Sequence, residues 1–176
     1  VGYFNTLRDL AAMRRVVEDS VTTRLKKMPQ RGLPIRYLNP ETITELTSRR
    51  NASEIPKILQ PLETSFTNEQ AKDRVDVLLA TNMISVGVDI SRLGLMVVSG
   101  QPKSTAEYIQ ATSRVGRDSP GLVLTVYNWT RPRDLSHYER FEHYHATFYQ
   151  QVEALSVTPF SPRAIEFRRR FRLFGR

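Results

Sequence analysis

No cysteine occurs anywhere in this chain. That absence excludes a disulfide framework, a thiolate metal centre and a cysteine nucleophile together. Histidine is scarce as well, at three residues. His137, His143 and His145 make no metal set on their own, because helical positions two apart face different directions, and a structural role is expected for all three. No apolar run approaches the roughly 20 residues that span a bilayer, and no charged-then-apolar leader opens the chain. A soluble, cytoplasmic protein with no membrane contact is the expectation. Two further absences concern nucleotides. There is no Gly-x-x-x-x-Gly-Lys-Ser/Thr phosphate loop and no Asp-Glu pair closing an apolar strand, so the parts that cradle phosphates and hold Mg²⁺ are missing.

Negative charge is also in short supply. Against 26 lysines and arginines stand 18 acidic residues, giving a net charge of +8 and a pI near 10.1, which creates a field attractive to polyanions such as nucleic acid. With 40% apolar residues in 176 positions, the chain can build one α/β domain of ordinary size. It starts at Val1 inside an apolar run, Val1-Gly-Tyr-Phe-Asn5, without an initiator Met, and is read as a piece of a longer protein.

Strands and helices are expected to alternate. After the first strand, Thr6 can cap a helix with Asp9 at the capping-box position, and Leu7, Leu10, Ala11, Val17, Val21 and Leu25 mark its apolar stripe. Prolines and glycine between Lys26 and Pro40 predict a loop. A second strand is expected over 42–47, a helix capped near Asn51 or Ser53 and running toward Leu62, a third strand over 75–79, a fourth over 95–99 and a fifth over 121–127. From Asp134, the recurrence of Leu135, Tyr138, Phe141, Tyr144, Phe148, Val152 and Leu155 predicts one long amphipathic helix packed on the sheet. Such alternation implies a parallel sheet with right-handed crossovers. Glu139, Glu142 and Glu153 read as helix surface, since nothing sets two of them across a cleft. Two readings stand for Trp129, a base-stacking surface and packing against the sheet edge, and packing is favoured.

Two segments carry chemistry. Ala80-Thr-Asn-Met-Ile-Ser-Val-Gly-Val-Asp-Ile90 leaves the third strand at its end, where parallel sheets bind ligands. Gln110-Ala-Thr-Ser-Arg-Val-Gly-Arg117 carries two guanidiniums, Arg114 and Arg117, that on one helical turn would project to the same side. Permanent charge and a planar fork suit arginine to phosphate oxygens.

In order and spacing these segments resemble motifs V and VI of superfamily 2 helicases, over residues 1–155 of the chain. Ser113 stands where the family commonly has glycine. The resemblance implies a RecA-like α/β three-layer sandwich with a mostly parallel central sheet flanked by helices, the second of two motor domains. It implies that Arg114 and Arg117 act on ATP, with Gly87, Asp89 and Gln110 also at the nucleotide, and that Thr81 and Ser85 touch the nucleic-acid backbone. Thr47, Ser48 and Arg49 loosely resemble a further backbone contact, with solvated charge beside a turn an equal reading for the arginines Arg49 and Arg50. ATP and Mg²⁺ would serve the longer protein, the Mg²⁺ ligands lying on an N-terminal RecA-like domain of the same polypeptide. Within the superfamily, the run continuing through Leu93-Gly-Leu-Met-Val-Val98 and Gly100-Gln-Pro-Lys-Ser-Thr-Ala-Glu-Tyr-Ile-Gln110 is similar to helicases of DISARM-type phage defence, which implies DNA as polymer and other defence proteins as partners. Repair helicases with similar second domains stay open. The competing class is a RecA-like module that binds nucleic acid or protein without hydrolysis. Residues 156–176 form a basic extension with Phe167, Phe171 and Phe174 among its arginines, read either as a phosphate-gripping tail or as the start of a helix continuing into a longer chain.

Overall fold

Parallel strands of aliphatic residues form the centre of the molecule: β1 (Gly2–Phe4), β2 (Ile43–Leu46), β3 (Val77–Ala80), β4 (Leu95–Ser99) and β5 (Leu122–Val126), ordered β2-β3-β1-β4-β5. The computed structural model describes residues 1–51, 53–64, 74–85 and 89–153. Tyr3 stands opposite Ala80 on one side and Val98 on the other, and Val97 stands opposite Leu124. The central strands are buried on both faces, so they read as apolar runs rather than as an alternation. This is the RecA-like α/β arrangement, and β4 has the bounds expected of it.

One face is covered by the first crossover. Thr6 caps α1 (Leu7–Val16) by accepting from the backbone N–H of Asp9, and the helix continues through a π turn, Val17–Val21, into α2 (Thr22–Lys26). The π turn inserts an extra residue and re-aims the apolar stripe. Leu10, Met13, Val17 and Leu25 therefore meet Phe4, Ile43 and Leu79, while Ala11 and Val21 face out. Leu38 from the following loop closes this cluster. Toward β5 the same face is open, and Leu95, Leu122, Leu124 and Val126 are each about half exposed.

The opposite face holds the larger core, where Tyr3, Leu46, Leu78, Met96 and Val98 meet Ile84, Ile90, Tyr108, Ala111 and Tyr144. Tyr3 is wholly buried and its hydroxyl donates to Glu107 at 2.6 Å. Burial and that carboxylate push its ionisation well above the ordinary tyrosine range. α3 (Ile55–Leu59) and α4 (Thr105–Thr112) cover this face, α3 being shorter than expected because Pro61 follows in a 3₁₀ turn, Gln60–Glu63.

The long helix expected from Asp134 is broken into α5 (Pro132–Glu139), α6 (Phe141–Ala146) and a 3₁₀ turn, Phe148–Gln151. Arg140 and Thr147 adopt non-helical backbone at the two breaks. Only part of the stripe then points inward: Tyr144 is buried and Phe148 packs on the core, whereas Tyr138 is 66% exposed. Leu155 lies outside the described residues. His137 meets the ring of Tyr144 edge-on and His145 stacks on Phe148, so both belong to an aromatic cluster.

Glu153 is not mere helix surface. Its carboxylate accepts from the backbone N–H of Thr105 at 2.9 Å and of Ala106 at 3.4 Å, satisfying first-turn donors of α4 that no carbonyl can reach. Those N–H groups hold its pKa below the ordinary 4.5. The sign is that of a depressed acid: the contribution is whole above the unfolded pKa and is lost as pH falls through the folded one. Glu153→Gln should therefore lower stability at pH 7 by a few tenths to about 1 kcal/mol, the exposed site being screened. In urea unfolding series the gap to wild type should close below about pH 4.5. A gap constant from pH 7 to pH 3 would contradict the assignment.

Candidate functional site

Because all strands run the same way, their exits gather on one edge of the sheet and their entries on the other. The sequence-predicted residues divide between these edges.

At the entry edge, α4 ends at Thr112, with the hydroxyls of Thr112 and Ser113 bonding back to the carbonyls of Tyr108 at 2.8 Å and Gln110 at 3.2 Å. Arg114 and Arg117 thus lie beyond the helix, in a loop, and not on one helical turn as expected. Past the C-cap at Ser113 the loop turns at Gly116, whose φ of +77° excludes a resumed helix. A Cβ on Gly121 would sit 2.7 Å from Cα and N of Gly116, so two glycine backbones cross in contact with no side chain between them. The crossing is locked to the sheet, the N–H of Gly116 donating to Leu93 at 2.8 Å and that of Leu122 to Gly94 at 2.8 Å.

This fold of the loop brings Arg117 to Asp89. Nη1 of Arg117 pairs with Oδ1 of Asp89, and its Nε lies 3.5 Å from the carbonyl of Ser113. Asp89 is 77% exposed at its side chain, so the pair sits at the surface. Arg114 is half-buried one residue before Val115, which packs on the core. Gln110 is exposed on the last turn of α4. Gly87 lies outside the described residues. Chemically the edge offers permanent cations on a backbone-fixed loop, one of them already oriented by a carboxylate, which fits a polyphosphate. Among the described residues no group of three histidine or acidic side chains could hold a metal ion.

At the exit edge, Thr81 donates its N–H to Leu46 at 3.3 Å and so stands beside Thr47. Both threonines are buried, at 7% and 2% exposure, while Ser48 and Arg49 are exposed in the turn that follows. The 3₁₀ turn Asn82–Ser85 leads away from Thr81. Arg50 is 3.8 Å from Glu54, an exposed pair.

The same edge continues to β4 and β5 through residues the sequence reading passed over. Asp134, 2% exposed, accepts from the N–H of Gln101 at 2.9 Å and of Asn128 at 2.9 Å, tying the two loops together. Asn5 donates to the carbonyls of Ser99, Gly100 and Gln101 at 3.1–3.3 Å. Gln101 also bonds to Tyr144 and Tyr127. The available signal was Gly100 followed by Gln101 and Pro102, and an aspartate in the first turn of α5. Trp129, expected to pack against the sheet edge, is instead 83% exposed.

Residues 19–119 match the family described as the helicase conserved C-terminal domain. The chain is similar to the DISARM protein DrmA of Bacillus paralicheniformis, with 50% identity over 167 residues, covering 93% of this chain and 14% of that protein. Among solved structures, the DUF1998 helicase MrfA bound to DNA is similar with a TM-score of 0.68 and 19% identity, over 93% of this chain and 20% of that one. The Mycobacterium smegmatis helicase Lhr bound to single-stranded DNA and AMP-PNP is similar with a TM-score of 0.52 and 20% identity, over 89% of this chain and 18% of that one. Those two likenesses show a common fold, and the chain spans a minor part of each of the three proteins.

The glycine crossing yields a direct test. Gly121→Ala must push the backbone of Gly116 aside and should cost on the order of 1–3 kcal/mol, the usual range for overpacking. Gly94→Ala, where a Cβ meets nothing within 4 Å, should cost less. Equal midpoints for the two variants in chemical denaturation would contradict the contact.

Proposed function

This chain belongs to the helicase conserved C-terminal domain family, and we propose that it is the second motor half of an ATP-dependent superfamily 2 DNA helicase or translocase acting in phage defence. The Arg117–Asp89 pair on its glycine-fixed loop carries the reading. A surface cation that is held in place by the backbone, and is not spent inside a core, is what a nucleotide site shared between two domains requires of its second half.

ATP, when bound in the longer protein, supplies the phosphoryl group whose transfer to water drives movement. Toward it the described residues of this loop offer the guanidinium donors of Arg114 and Arg117. Arg117 presents its remaining guanidinium N–H groups while Asp89 fixes the direction in which the fork points, and Arg114 is the second cation. Such groups stabilise charge that develops on the transferred phosphoryl, an effect worth roughly 10³–10⁵ in rate for an arginine finger. Mg²⁺ ligands and the phosphate cradle would come from an N-terminal RecA-like domain of the same polypeptide, because this sequence has neither a Gly-x-x-x-x-Gly-Lys-Ser/Thr loop nor an Asp-Glu pair closing an apolar strand. Nucleic acid is met at the exit edge, through Thr81, Ser85 and the turn Thr47, Ser48 and Arg49, in contacts to phosphates that carry no base sequence. The DNA held by MrfA and Lhr and the 50% identity to DrmA support DNA as the polymer and a defence setting with further protein partners.

In the full-length protein, Arg117→Ala should lower kcat for DNA-stimulated ATP hydrolysis by about 10³ and leave DNA affinity within a factor of about two, because the guanidinium acts on transition-state charge and not on the polymer. Steady-state hydrolysis and fluorescence anisotropy with a labelled oligonucleotide measure the two. Unchanged turnover would overturn the catalytic reading, and loss of DNA binding with unchanged kcat would move Arg117 to the polymer.

A further inference from the structure

Trp129 is the single tryptophan of the chain, and it stands 83% exposed at the tip of the turn that leaves β5. The turn beneath it is rigid. Asn128 accepts from the N–H and the hydroxyl of Thr130 at 3.0 and 2.8 Å, its carbonyl accepts from Arg131 at 2.9 Å, and its own N–H is held by buried Asp134 at 2.9 Å. A large ring is thus presented to solvent by a hydrogen-bonded turn. Tryptophan is highly buried on average, so a rigidly displayed one calls for a partner.

The surroundings specify the partner's chemistry. Beside the ring runs a groove of about 420 Å³ lined by Met13, Val16, Ser99, Gly100, Val126 and Arg131, among others. Its floor at Gly100 has a φ of +76°, and a side chain there would strike Asp134 and Arg131. Arg131 is held over this floor by Asp9 at 3.3 Å, and Lys103, in the loop leaving β4, and Arg133, at the start of α5, are exposed. Asp9 is engaged with Arg131 and Asp134 with backbone N–H groups, which leaves Lys103 and Arg133 as exposed cations of this edge. An exposed ring, an apolar-walled slot and a cationic margin form the combination that binds unpaired bases, the ring stacking on a base face while arginine and lysine meet phosphates.

We propose that Trp129 is a base-stacking platform for single-stranded nucleic acid, placed at the β5 end of the exit edge. The inference rests on the reading of that edge as the polymer's path. Thr47 at β2 and Trp129 at β5 close the two ends of the five-strand order, four strand spacings apart, or about 19 Å. A strand crossing the edge would be held by phosphates at one end and stopped by an aromatic ring at the other. Stacking tolerates any base, so the contact adds affinity for unpaired strands without adding sequence preference.

The lone tryptophan makes the test spectroscopic. The 176-residue chain is titrated with a labelled dT oligonucleotide, a labelled dA oligonucleotide and a duplex, reading intrinsic tryptophan fluorescence and oligonucleotide anisotropy together, with AMP-PNP as a separate arm. Expected are binding of both single strands with concurrent quenching, and little quenching by the duplex. Trp129→Ala, with folding checked by circular dichroism, should weaken single-strand binding roughly 5- to 100-fold without changing the slope of log affinity against log salt, since no phosphate contact is removed; Trp129→Phe should recover most of the loss. Anisotropy change without quenching, or with Trp129→Ala binding normally, overturns the platform and leaves the phosphate path standing. Quenching by AMP-PNP alone, or equally by duplex, also overturns it. No binding at any salt overturns both.

Discussion

Parallel strands cannot be joined by hairpins, and the architecture of this domain follows from that constraint. Each strand must be followed by a crossover, so every loop that leaves a strand emerges on one edge and every loop that enters one arrives on the other. With the order β2-β3-β1-β4-β5, the exit edge collects Thr47, Thr81, Gly100 and Trp129, and the entry edge collects Asp89, Arg114 and Arg117. Topology alone sets these two groups of residues at opposite ends of the strands. The proposed polymer path and the proposed nucleotide contacts occupy opposite ends of the same strands, joined by the segment from Thr81 to Ile90 and by α4.

The two edges are made firm by different means. At the exit edge the work is done by a buried carboxylate, Asp134, which replaces water for two backbone N–H groups of separate loops. Removing such an acceptor would leave both donors buried and unpaired. At the entry edge the absence of side chains serves instead, the glycine pair Gly116 and Gly121 allowing backbone to touch backbone. Each device lies beside a side chain to which a role is proposed above, Trp129 or Arg117, and fixes the backbone that presents it.

Much of this was legible in the sequence, for identifiable reasons. The buried strands read as apolar runs, and the capping of α1 by Thr6 followed from spacing. Geometry that depends on a single backbone angle was not legible. Arg-Val-Gly-Arg at 114–117 looks helical by spacing, yet α4 stops at Thr112 and Gly116 takes a positive φ in the loop that sets Arg117 beside Asp89. The amphipathic stripe after Asp134 likewise hides two breaks, at Arg140 and Thr147, because periodicity of apolar residues persists across a kink. Glu153 differs from expectation because its partner, the first turn of α4, lies 48 residues away in sequence, and Trp129 because local bonds among Asn128, Thr130 and Asp134 set the turn that exposes it.

In the proposed function, Asp89 acts on the nucleotide through Arg117, with which it pairs. A double-mutant cycle in the full-length helicase tests it most directly, using ATP turnover of Asp89→Asn, Arg117→Ala and the combined variant. If Asp89 orients the guanidinium, its removal slows turnover in the presence of Arg117 and has no further effect once Arg117 is gone, so the double variant matches Arg117→Ala. Losses that multiply, with the double variant slower than either single one by the product of both, would show that the two residues act independently and would contradict the account.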